Sequence, residues 1–170
     1  RREIFEGAAG NDLIDGRQGF DVVSYSNSPA SVIVDLSLLT DHAQDGWGGR
    51  DTLMRIEGVL GSMYSDRITG DSAANLLEGG AGDDTLSGGV GRDTITAGSG
   101  DDSISGGAGN DVIDGGEGRD TASFSGPRWR YAVSPSGDGF QVRDRGDSIR
   151  RRQNDRTRLI DSGRWRKWRR

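Results

Sequence analysis

Five aspartates, Asp84, Asp93, Asp102, Asp111 and Asp120, recur every nine residues, each with glycine two and four places before it and an aliphatic residue two places after. The glycines are Gly82 and Gly80, Gly91 and Gly89, Gly100 and Gly98, Gly109 and Gly107, and Gly118 and Gly116. Carboxylates and bare main-chain carbonyls are hard oxygen donors. Ca²⁺ takes about six to eight of them with loose geometry, and glycine lets carbonyls approach an ion with no Cβ in the way. A single aspartate or glycine in this array is equally well read as a turn residue; the regular array points to cation binding. Other chemistry finds less support. Paired carboxylates such as Asp101 and Asp102 have the right types for acid–base work, but their phase in the repeat already accounts for them. The one histidine, His42, has no nucleophile or metal-ligand partner at a recognisable spacing and reads as a solvated loop residue. Cysteine is absent, which removes thiolate metal sites and disulfides.

The element that carries such a pattern must have a period of nine. A helix fails, because nine residues at about 100° each throw successive apolar residues onto opposite faces. Collagen fails because glycine does not fall on every third residue, and a flexible linker has no reason to hold aspartate and an aliphatic residue in one phase. A solenoid remains, in which each nonapeptide supplies a tight six-residue turn and a three-residue strand, and two units complete one coil. Repeats two apart then stack. Ile68, Leu86, Ile104 and Ala122 are expected to line one parallel sheet, and Leu77, Ile95 and Ile113 the opposite one. Asp84, Asp102 and Asp120 share one column, and Asp93 and Asp111 another. One core side chain per strand contributes roughly 1.5–3 kcal/mol, whereas ordering nine residues costs on the order of 10 kcal/mol in backbone entropy. The acidic columns also repel until a cation lies between the turns. The chain is therefore expected to be largely disordered without calcium and to gain β structure when calcium is added.

The repeats GGAGDDTLS, GGVGRDTIT, AGSGDDSIS, GGAGNDVID and GGEGRDTAS, residues 79–123, resemble the RTX, or hemolysin-type, nonapeptide GGxGxDxUx. The resemblance implies an all-β chain folded as a parallel β-roll, a right-handed β-helix-like solenoid, with several Ca²⁺ ions between adjacent turns and export by a type I secretion system. It carries the ligand role to the side chains of Asp84, Asp93, Asp102, Asp111 and Asp120, with carbonyls from the turn residues before them, Gly79 to Asp83 and their equivalents. Weaker copies extend the pattern as GAAGNDLID (7–15), GRQGFDVVS (16–24), GWGGRDTLM (46–54), GSMYSDRIT (61–69) and GDSAANLLE (70–78). These add Asp12, Asp21, Asp51 and Asp66 as weaker ligands. The last copy has Asn75 in the aspartate place.

Composition agrees with a thin-cored array: 29 glycines, and apolar residues at only 31% of 170. Residues 1–142 carry 23 acids against 10 bases, and 143–170 carry 4 against 12. No stretch of about 18 apolar residues is present to span a bilayer. The chain has no start methionine and opens on what reads as the end of a repeat, as expected of a piece of a longer protein. The β-roll is expected over 1–126, degenerate over 1–78 with an interruption at 25–45, and full-motif over 79–123. Within the interruption, 30–36 reads as a strand. A β-hairpin cap is expected over 127–145, with Phe124, Tyr131 and Phe140 covering the roll's end. A basic Arg/Trp tail over 146–170 is expected to be irregular and separable. The functional expectation is a calcium-binding module of an extracellular protein that folds after export, not an enzyme and without a specific nucleic-acid partner. The alternative is a polysaccharide- or polyanion-binding module of an extracellular enzyme, marked by a strip of Arg and aromatic residues along one sheet, or the C-terminal part of a toxin or protease.

Overall fold

The computed structural model describes residues 1–40, 42–124, 131–136 and 139–144, and those residues contain strands and no helix. In chain order the strands are β1 (Ile4–Glu6), β2 (Leu13–Asp15), β3 (Val22–Ser24), β4 (Ile33–Asp35), β5 (Ala43–Gln44), β6 (Arg50–Met54), β7 (Gly58–Leu60), β8 (Arg67–Thr69) and β9 (Leu76–Ala81). They continue as β10 (Thr85–Ser87), β11 (Val90–Gly91), β12 (Thr94–Ser99), β13 (Ser103–Ser105), β14 (Ala108–Gly109), β15 (Val112–Asp114), β16 (Thr121–Ser123), β17 (Tyr131–Ser136) and β18 (Gly139–Asp144). Two eight-stranded sheets face each other, ordered β1-β3-β7-β9-β12-β15-β18-β17 and β16-β13-β10-β8-β4-β5-β6-β2. The result is a parallel β-roll of about seven turns.

The stacking of repeats two apart holds residue for residue. Ile68 pairs with Leu86, Leu86 with Ile104 and Ile104 with Ala122 in one sheet, while Leu77, Ile95 and Ile113 pair in the other. A three-residue strand has one inward side chain because successive Cβ atoms alternate between faces. Ile68, Leu77, Leu86, Ile95, Ile104 and Ile113 are all buried between the sheets. The N-terminal half is thicker: β3 buries all three of its residues, and Tyr25, Val32, Leu36 and Ile56 join the core from outside the strands. Strands β9 and β12 run to six residues because their ladder continues past Glu78 and Thr96 to pair Gly98 with Gly80 and Ser99 with Ala81.

The interruption is built into the roll rather than excluded from it. Strand β4 takes a place beside β8, offset by 34 residues, pairing Ile33 with Arg67. Strand β5 lies antiparallel between β4 and β6. This insertion overturns the reading of His42 as solvated. Its ring is buried, Nδ1 accepts the Leu53 amide at 3.1 Å, and Nε2 lies 2.7 Å from the Leu38 carbonyl. The two bonds fix the tautomer with the proton on Nε2.

At the other end, β17 and β18 form the expected hairpin, which attaches antiparallel to the edge of β15 and pairs Val142 with Ile113. Phe124 and Tyr131 pack on the core with ring centroids 4.4 Å apart and planes at 39°. The proposed contribution of the Phe140 side chain and the basic tail over 146–170 lie outside the described residues.

Candidate metal centre

The aspartates form two hydrogen-bonded ladders that run up the roll. In one, the amide of Asp66 donates to Asp84 Oδ1 at 2.7 Å, that of Asp84 to Asp102 Oδ1 at 2.8 Å and that of Asp102 to Asp120 Oδ1 at 3.2 Å. In the other, Asn75 donates to Asp93 Oδ1 at 2.9 Å and Asp93 to Asp111 Oδ1 at 3.1 Å. Below Asn75, whose side-chain amide donates to the Glu57 carbonyl at 3.2 Å, the column goes on with Glu57, whose Oε2 accepts the Asp21 amide at 2.8 Å, and Asp21 Oδ1 accepts the Glu3 amide at 2.8 Å. The periodic reading missed Glu57, because only Arg55 and Ile56 separate it from β6. Its longer side chain reaches where an aspartate otherwise stands. Arg55 in that short turn pairs with Asp15.

One oxygen of each carboxylate is thus used as a rung. The second points back over the first glycine of its own repeat: a Cβ built on Gly79 would overlap Asp84 Oδ2 and the Ala97 carbonyl, and one on Gly88 would overlap Asp93 Oδ2 and the Gly106 carbonyl. A carboxylate oxygen of one turn and a carbonyl of the next therefore border the same small space. Oδ2 of Asp21, Asp84, Asp93 and Asp102 is buried there without a hydrogen-bond donor. An unpaired carboxylate oxygen in such a place is costly, and a hard cation satisfies it. The donor set fits calcium. Among the described residues no three His, Asp or Glu side chains converge on one point, so an ion here takes carbonyl oxygens beside its carboxylates, as Ca²⁺ readily does.

The ten glycines singled out by the pattern all have backbone torsions that favour glycine, from φ +77 at Gly116 to +147 at Gly109. At Gly98 and Gly107 a Cβ would also overlap the carbonyl oxygen of the glycine one coil earlier, Gly80 and Gly89 respectively. The four weaker aspartates divide. Asp21 is buried and keeps an unpaired oxygen, while Asp12 is half-buried. Asp51 Oδ1 accepts the Asp12 amide at 3.0 Å, and its Oδ2 accepts the Tyr25 hydroxyl at 2.8 Å. Asp66 accepts from the Val32 amide at 2.8 Å, the Ser62 hydroxyl at 2.8 Å and the Ser62 amide. Sequence spacing alone could not separate these cases, because Tyr25 and Val32 donate from outside the repeats and Ser62 donates from a place that glycine takes in the full motif.

A roll of stacked nonapeptides with oxygen-lined, glycine-walled turns defines a calcium-binding repeat protein. The comparison with known families agrees: the RTX calcium-binding nonapeptide repeat matches in 4 copies, over residues 3–24, 60–95 and 87–122. The chain belongs to this family and binds Ca²⁺ through its repeats. No curated protein matches it.

Burial pushes the carboxyl of Asp84 up to about 7 and that of Asp93 up to about 6, against the opposing effect of the Asp66 and Asn75 amides. Asp102 is also raised by burial. Protons therefore compete with calcium, and the calcium concentration needed for half-saturation is expected to rise as pH falls below about 7. Without calcium the sign reverses. A raised folded-state pKa favours the fold only while the group is protonated, so that contribution is present below the ordinary value of 3.8 and gone above about 7. Calcium titrations across this range check the first trend; a half-saturation point indifferent to pH contradicts it.

The ladder also ranks the ligands. Asp102 has a neighbour on each side and carries the Asp84 amide, whereas Asp21 lies near the N-terminal edge, with the Glu3 amide alone beyond it. Removing Asp102 leaves a buried amide unpaired, at about 1–3 kcal/mol, beyond the lost ion contact. Asp102→Ala is expected to raise the calcium midpoint on the order of tenfold or more, and Asp21→Ala less. Equal shifts contradict the two-apart stacking.

Proposed function

We propose that the chain is the calcium-triggered folding module of a secreted RTX-type protein and is not itself a catalyst. The observation that carries this reading is the set of buried, donor-less Oδ2 atoms of Asp84, Asp93 and Asp102 over a thin core with one inward side chain in each three-residue strand. In such a segment the apolar term is too small to overcome both chain entropy and carboxylate burial, so order waits for the ion. Extracellular calcium modules bind at roughly 10⁻⁴ to 10⁻³ M, far above cytosolic calcium. A chain tuned to that range stays extended for passage through a type I exporter and folds outside. A polysaccharide-binding module would carry Arg and aromatic residues along one sheet. The outward residues of β10, β13 and β16 are Thr85, Ser87, Ser103, Ser105, Thr121 and Ser123, which do not support it.

Limited proteolysis across a calcium series tests this. Cleavage within 79–123 at sub-micromolar calcium, giving way to protection near millimolar calcium, is the expected outcome. Protection already complete at sub-micromolar calcium would remove the trigger from the proposal.

A further inference from the structure

Six turns fall into two kinds separated by the second residue of the nonapeptide; turns 7–12 and 46–51 belong to neither, since Ala8 and Trp47 have no positive φ and the Trp47 amide donates to Asp45 rather than to Asp51. In turns 61–66 and 70–75 that residue is Ser62 or Asp71, neither with a positive φ. There its amide points at the side chain of the sixth residue: Ser62 donates to Asp66 Oδ2, and Asp71 donates to Asn75 Oδ1 at 2.9 Å. In turns 79–84, 88–93 and 97–102 the second residue is Gly80, Gly89 or Gly98, with φ +114, +96 and +117. In each of these the sixth residue keeps a buried oxygen without a donor. Turn 16–21 is the informative exception in sequence, because its second residue is Arg17, not glycine. Arg17 nevertheless has φ +66, and Asp21 Oδ2 is again buried and without a donor. Across these six turns the correlation therefore follows the torsion rather than the residue type.

We propose that the backbone torsion at this second residue decides whether a turn gives its carboxylate to the protein or leaves it for calcium. A left-handed torsion rotates the peptide so that its amide no longer faces the carboxylate. Turns with Arg17, Gly80, Gly89 and Gly98 are open, and those with Ser62 and Asp71 are closed and hold together without an ion. Two closed turns side by side give the roll a metal-independent step between β7 and β9 and between β8 and β10, on which the open turns stack. The inference rests on the reading of the donor-less oxygens as calcium ligands.

Three variants of the full chain test it, by calcium stoichiometry from equilibrium dialysis with folding followed by circular dichroism. Ser62→Gly frees the torsion and is expected to bind one further ion per chain. Ser62→Ala removes the hydroxyl but keeps an ordinary torsion and the amide, and is expected to bind the wild-type number. Asp66→Asn repeats what the chain already does at Asn75, and is expected to leave the stoichiometry unchanged, which also decides the matter if Ser62→Gly does not fold. A folded Ser62→Gly with no added ion, an added ion in Ser62→Ala, or an ion lost in Asp66→Asn overturns the inference. Calcium-induced folding of the unaltered chain is read in the same experiment; its absence would sink the proposed function instead.

Discussion

Gly98→Ala is expected to remove calcium-induced order from the repeats around it, while Gly88→Ala, in the preceding repeat, costs far less. The two differ in torsion and in what a methyl group meets. Gly98 has φ +117, where an L-residue costs about 1–3 kcal/mol, and its Cβ would overlap the Gly80 carbonyl, a backbone atom held by the β9–β12 ladder. Displacing that ladder also moves the Ala97 carbonyl next to Gly98, which borders Asp84 Oδ2. Gly88 is not among the glycines with positive φ, and its slot is filled by alanine elsewhere in the chain, at the buried Ala97. A Cβ on Gly88 would overlap Asp93 Oδ2 and the Gly106 carbonyl, and Ala97 shows that a methyl group is accommodated at the equivalent place one repeat on. The calcium midpoint is expected to rise more than tenfold for Gly98→Ala, or to pass beyond reach, and only a few-fold for Gly88→Ala. Titrations followed by circular dichroism compare them, and equal shifts would argue against the carbonyl wall.

Much of this architecture was legible because the repeat fixes phase. Once Leu86 and Ile104 stand eighteen residues apart in the same phase, the pairing of β10 with β13, the shared side of their side chains and the Asp84–Asp102 rung all follow. What the sequence did not disclose lies where contacts leave the eighteen-residue offset. His42 is buried because β5 inserts antiparallel between β4 and β6, a pairing with no period to announce it. Glu57 joins the aspartate column through a shortened turn, which breaks the count by which the column is read. Tyr25 satisfies Asp51 across 26 residues, and Ser62 satisfies Asp66 through an amide whose direction depends on a torsion. Position alone therefore located the aspartates correctly while leaving their state of pairing open.

Removal of calcium is expected to have the largest effect of all. In the repeats over 79–123 each three-residue strand buries a single residue, one of them only Ala122, and the columns bring carboxylates into register one coil apart. Neither apolar burial nor strand hydrogen bonds offset the entropy of ordering so many glycines, whose backbone freedom is the largest of any residue. The ion supplies the missing interaction and does so between neighbouring turns, so binding and stacking proceed together. The transition is therefore expected to be cooperative in calcium and reversed by chelation. Its most direct test is far-ultraviolet circular dichroism of the whole chain, first with excess chelator and then with millimolar calcium. A predominantly coil-like spectrum is expected to convert to a β spectrum as calcium is added, and to return when it is removed. The same β spectrum in both conditions would show that the aspartate columns hold together without the ion, and would contradict that expectation.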